Sequence, residues 1–130
     1  GQGTNFWPFV NNELQFIGVT FHQIDYGIDT GPIIHQVRAK ILKGDNIHTI
    51  GNRLIRDLTK SLKVILENLN SLSVYNQIKS KERKYYKAKD FNDYAIEKLF
   101  NNYKKNIIKD YLINNLKLIK KFPIVINKKL

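Results

Sequence analysis

Apolar residues recur at three- and four-residue steps through Ile50, Leu54, Leu58, Leu62, Ile65, Leu66 and Leu69, while Arg53, Asp57, Lys60 and Lys63 occupy much of the remainder. That period predicts an amphipathic helix from Asp45 or Thr49 to about Leu69, packed on something along one stripe. Before it the period changes to two. Phe16 to Ile24 reads as a strand with Val19, Phe21 and Gln23 on one face and Gly18, Thr20, His22 and Ile24 on the other. Ile33 to Ile41 reads as a second strand, His35, Val37, Ala39 and Ile41 alternating with Ile34, Gln36, Arg38 and Lys40. The glycine-punctuated stretch Tyr26 to Pro32 is a loop between them. At the start, FWPFVNN predicts a brief helix with Pro8 in its first turn and Asn11-Asn12 at its end. Residues 71–90 read as turns with one short strand around Tyr85-Tyr86. Two further helices follow, Asp90 to Tyr103 with Asp90 or Asn92 at its start, and Ile107 to Ile119, stopped by Pro123. Ile124-Val125-Ile126 reads as a terminal strand.

Composition narrows the chemistry. With 130 residues, 42% of them hydrophobic, the chain is long enough for one modest folded core. It contains no cysteine, which excludes disulfides, zinc-thiolate sites and thiol nucleophiles and gives no sign of an oxidising compartment. A cytoplasmic location is the expectation, because neither a secretory leader nor an apolar window long enough to span a membrane is present. The formal charge of +11 is unevenly spread: residues 1–70 hold seven Lys/Arg against six Asp/Glu, residues 71–130 fifteen against five. Such a field attracts phosphates, nucleic acid or an anionic substrate, and equally describes a solvated lysine-rich surface. Aromatics interleave with the lysines in KERKYYKAKDF, which adds some weight to a polyanion.

The chemistry-bearing stretch is the loop. An aspartate between a strand and a Gly-Pro turn is either catalytic or a turn residue accepting backbone hydrogen bonds. The run G-V-T-F-H-Q-I-D-Y-G-I-D-T-G-P-I-I, Gly18 to Ile34, resembles the signature of the folate-dependent formyltransferases. The preceding G-T-N-F-W-P-F-V-N-N is similar to the segment that follows the active-site histidine loop in the nucleotide-sugar N-formyltransferases. The resemblance implies an α/β fold: residues 1–70 as the C-terminal part of a Rossmann-like formyltransferase catalytic domain, and residues 71–130 as a small, basic, mainly helical C-terminal region. It further implies transfer of a formyl group from N10-formyltetrahydrofolate to the amino group of a nucleotide-linked amino-deoxysugar. Asp29 takes the place of the aspartate in a catalytic Asn-His-Asp trio, whose other two members belong to a part of the family upstream of this segment. None of His22, His35 and His48 stands in the place of the principal histidine. Gly27, Ile28, Thr30 and Gly31 would shape the folate side, and Asn5, Trp7 and His22 the acceptor side. No metal is implied. The isolated 130 residues would be inactive, needing the N-terminal half in cis or from another chain. A homodimer is implied by the family's habit of pairing through C-terminal parts.

The chemistry supplies its own reason for Asp29. Formyl transfer needs a neutral amine nucleophile, an oxyanionic tetrahedral intermediate and a proton carried to the leaving nitrogen; a carboxylate near an imidazole orients it and favours its protonated form. The bland alternatives stand beside each assignment: Asp29 as a loop cap, His22 as a hydrogen-bonded structural histidine, Trp7 and Phe6 as core. Asp25 reads as a turn stabiliser, and His35 and His48 as structural. Two other functions compete. Methionyl-tRNA formyltransferase, or a generic basic RNA-binding module, would account for the positive second half, although the former carries a C-terminal β-barrel where this sequence reads as helical. Asp-Thr-Gly also marks aspartic proteases, but those want Ala or Ser where this chain has Pro32, and they are nearly all β.

Overall fold

The computed structural model describes residues 3–78, 84–128 and 130. Helix α1, Phe6–Val10, starts where the amides of Phe6 and Trp7 bond the Gly3 carbonyl. Pro8 fits there because the first-turn amides lack helical partners anyway. Asn12 closes α1 in the left-handed region at φ 56°, a conformation that asparagine tolerates better than most side chains. A 3-10 turn, Leu14–Phe16, then delivers the chain to β1, Gly18–His22.

β1 pairs antiparallel with β2, Ile33–Arg38, with Val19 opposite Val37 and Phe21 opposite His35. A bulge between Phe21 and His22 shifts the register, so His22 faces Ile33. The sheet has these two strands. Gly18 is needed because a Cβ there would lie 2.5 Å from the Val37 carbonyl oxygen. β2 is shorter than the alternation predicts: the Ala39 amide still bonds the Ile17 carbonyl in register, but the Ile17 amide goes back to the Leu14 carbonyl, so the reciprocal bond is missing and the ladder ends.

Helix α2, Ile47–Asn68, has a full capping box: the Asn46 side chain accepts from the amides of His48 and Thr49, and the Thr49 hydroxyl accepts from the Asn46 amide. Asp45 just before it receives Arg53 through two short bonds, of 2.7 and 2.8 Å, together with the Leu42 amide. The Arg53 bonds chiefly hold its carboxyl down to about 2. The clamp fixes the β2–α2 connection, because Arg53 also donates to the Lys40 carbonyl.

Helix α3, Asp93–Lys104, is capped by the Asn92 side chain on the Ala95 amide. Asn106, left-handed at φ 60°, bends the chain at once into α4, Ile107–Lys121. The two tyrosines expected to form a strand, Tyr85 and Tyr86, do not: Tyr86 is drawn instead into a ring stack on Trp7. The strand pairing in this region falls on Tyr75, which bridges Ile33. Nor is 124–126 a strand; Val125 makes one backbone bond to Gln36 of β2, and its own amide goes to the Gln36 side chain.

One buried cluster joins both halves of the sequence. Trp7, Phe9, Val10, Leu14 and Ile17 pack with Ala39, Ile41, Ile50 and Leu54, and with Ala95, Leu99, Ile107 and Tyr111 from α3 and α4. The three long helices are incompatible with a nearly all-β protease. Among the described residues no helix is long and apolar enough to cross a membrane.

His35, on β2, is buried, and its Nδ1 accepts the Asn127 amide. Burial pushes the imidazole below its ordinary 6.5, so between the folded value and 6.5 the unfolded chain holds more protons. Stability is therefore fully present above about pH 6.5 and falls as the pH drops below it. Urea midpoints are expected to decline between pH 7.5 and 5.5. His35→Asn, which keeps an acceptor for Asn127 but does not titrate there, is expected to flatten that slope; equal slopes in both proteins would assign the dependence elsewhere.

Candidate functional site

The loop between β1 and β2 is built around Asp25. Its carboxylate accepts the Gly27 amide at 3.0 Å and the Thr30 hydroxyl at 2.7 Å. The Thr30 bond is the main cause of its lowered pKa, desolvation opposing it and the Gly27 amide assisting. This gives Asp25 the turn-stabilising work that its position suggested. The glycines serve the same closure. A Cβ on Gly27 would sit 2.0 Å from Thr30 Oγ1, and one on Gly31 would sit 1.8 Å from the Gln23 carbonyl oxygen.

Asp29 is thereby turned outward. It lies in the left-handed region at φ 54°, where a β-branched residue would be strained and aspartate is tolerated. Its carboxylate stands 3.7 Å from His22 Nε2, with side-chain exposures of 76% for Asp29 and 25% for His22. The other ring nitrogen, Nδ1, lies 2.8 Å from the Gln23 carbonyl, and a carbonyl only accepts, so Nδ1 carries a proton. Nε2 then attracts the Asp29 carboxylate when the ring is doubly protonated. The carboxylate lies within ion-pair reach of the imidazole but beyond hydrogen-bond distance, on a side open to solvent. Ile28 is 91% exposed and Thr30 is exposed too, whereas Gly31 is buried under the loop.

The acceptor-side candidates divide. His22 sits with Asp29. Asn5 is half-buried at the start of α1, and its side chain makes no cap. Trp7 is buried at 9% exposure, meets Phe6 edge-on and stacks on Tyr86 at 3.8 Å with rings 5° apart. Trp7 is both core and wall, for it lines a cleft of about 600 Å³ with Gly3, Tyr85, Tyr86, Lys87 and Phe91. Among the described residues, no hydrogen bond, ion pair or ring contact links Trp7 or Asn5 to the Asp29 loop. His48 lies on exposed helix, and no group of three or more His, Cys, Asp or Glu among the described residues is arranged to hold a metal ion.

Two residues emerge that the sequence did not single out. Gln77 donates to the carbonyls of Asp29 and Gly31, and Asn127, at 2% exposure, donates to Ile34 and Ser73. Lone polar residues outside any periodic segment carry no local mark of such long-range contacts. The sequence marks Tyr86 as part of an aromatic-basic run and of a short strand, not as a partner of α1; its hydroxyl accepts from Asn11 at 2.5 Å.

For folate, the exposed loop backbone and Ile28 offer one face. Two clefts of about 600 Å³ are lined by residues outside the loop, so the loop offers such a ligand one side.

Comparison with known proteins agrees with this region. Residues 11–69 match the family model described as formyl transferase. A methionyl-tRNA formyltransferase from Blochmanniella pennsylvanica (strain BPEN) is 40% identical over 50 residues, covering 38% of this chain and 16% of that protein. No solved structure matches. The family match spans β1, the Asp25–Gly31 loop, β2 and all of α2, and supports a formyltransferase relationship for that part of the chain.

Proposed function

We propose that the chain is the C-terminal half of a nucleotide-sugar N-formyltransferase, transferring formyl from N10-formyltetrahydrofolate to an amino-deoxysugar. The observation that carries the reading is the His22–Asp29 pair at 3.7 Å on a loop lying inside the formyl transferase match. Asp29 orients and charges an imidazole supplied by the complementary half, and takes part in moving the proton released by the attacking amine. Ile28 and Thr30 present the folate side on a loop that Gly27 and the buried Gly31 close; His22, Asn5 and Trp7 serve the acceptor. The complementary half also completes a Rossmann-like sheet. In support, α2 leaves Ile55, Leu62 and Leu66 exposed, and Leu69 just after it, at steps of seven, four and three residues, an apolar stripe suited to further packing. The proposal includes a homodimer through the C-terminal region, where α4 exposes Ile113 and Leu116, and a cytoplasmic setting.

The helical α3–α4 region favours the sugar acceptor. A second reading, methionyl-tRNA as acceptor, is favoured by the Blochmanniella relative. Assaying a longer chain that contains both halves against a nucleotide-linked amino sugar and against methionyl-tRNA separates the two. Formylation of the tRNA alone would replace the sugar reading, and formylation of neither would end both.

The isolated 130 residues are expected to bind N10-formyltetrahydrofolate with Kd above about 1 mM, since one wall recovers little of the cost of association. Calorimetric binding at micromolar concentrations would overturn the one-sided site.

A further inference from the structure

Tyr75 and Ile33 exchange two backbone hydrogen bonds, of 2.7 and 2.8 Å, laying the segment after α2 against the free edge of β2. Two residues on, at the strand repeat that returns a side chain to the same side, Gln77 reaches the loop. Its Nε2 donates to the Asp29 carbonyl at 2.9 Å and the Gly31 carbonyl at 2.7 Å. A primary amide has two N–H bonds, and both are used. The segment is pinned from behind by Asn127: its Nδ2 donates to the Ser73 carbonyl at 2.9 Å and the Ile34 carbonyl at 3.2 Å, while its amide reaches His35 Nδ1 at 3.1 Å.

We propose that Gln77 is a positioning residue for Asp29, holding the Asp29–Thr30 and Gly31–Pro32 peptide planes so that the carboxylate keeps its aim. The Asp29 side chain is 76% exposed and its recorded partner is His22 at 3.7 Å, so its direction depends on its backbone. That backbone is left-handed, and the carbonyl leaving it is held by Gln77. The functional consequence rests on the formyl-transfer reading above; the positioning itself does not.

The test begins with the 130-residue chain and ¹⁵N relaxation. Gln77→Ala is expected to lower the order parameters of Asp29, Thr30 and Gly31 from about 0.85 to below about 0.6, with Phe21 and Val37 in the strands unchanged. Gln77→Glu keeps the shape but turns an ionised carboxylate toward two carbonyls. It is expected to loosen the loop at pH 7 and to restore part of its order once that carboxyl is protonated, which donates one bond. Unaltered order in both variants overturns the proposal. In a longer chain containing both halves, Gln77→Ala is expected to lower kcat roughly 10-fold or more with acceptor KM little changed, as misplaced catalytic groups do. Unchanged kcat beside a crippled Asp29→Asn variant overturns the positioning role. Unchanged kcat in Asp29→Asn removes Asp29 from catalysis and, with it, this consequence, whatever the relaxation data show.

Discussion

Asp29→Asn in a formyltransferase containing this chain is expected to lower turnover by about 100-fold or more, the lower range for a positioned acid–base group. Asparagine is the informative replacement. It matches the aspartate in shape, it tolerates φ 54° as well as aspartate does, and the Gln77 bond to the residue-29 carbonyl does not involve the side chain. What disappears is the negative charge 3.7 Å from the His22 ring. Loss of turnover with an unchanged circular dichroism spectrum and thermal midpoint therefore reports charge and proton handling. Turnover within a factor of two of the parent would leave Asp29 as a loop residue.

The second large effect is on stability. Phe9→Ala is expected to cost about 3–5 kcal/mol, the usual range for truncating a buried phenylalanine. Phe9 is 0% exposed, its ring lies 5.2 Å from that of Tyr103 at 16°, and its carbonyl accepts from Asn102 at 2.7 Å. The truncation thus opens a cavity at the junction of α1 and α3. Against a typical total of about 5–15 kcal/mol, the thermal midpoint should fall by roughly 10–20 °C. Tyr26→Ala, on the exposed loop, is the control and should change stability by no more than about 0.5 kcal/mol. Similar midpoints for the two variants would mean that the shared core does not hold α3 against α1.

Much of this was legible locally. The helix over 47–68 follows from its three- and four-residue steps, and the loop from its glycines. Asp25 as turn stabiliser follows from the short reach of an aspartate to the next few amides. The errors arose where a residue's partner lies far along the chain. Tyr85-Tyr86 has strand-forming composition, yet Tyr86 stacks on Trp7, and the pairing falls to Tyr75. Gly27 and Gly31 are by contrast a local matter, the space beside them being filled by Thr30 and Gln23 of the same loop.

The order of the two paired strands and the three long helices, the turn at Asp25 and the placement of Asp29 beside His22's strand are written in the sequence by itself, because periodicity, caps and turns act within a few residues. That one core gathers Trp7, Leu54 and Tyr111, and that Gln77 and Asn127 hold the loop from behind, only the tertiary structure decided. Those contacts bridge roughly 45 to 105 residues of chain. They exist because buried apolar surface and backbone carbonyls must find partners wherever the fold brings them.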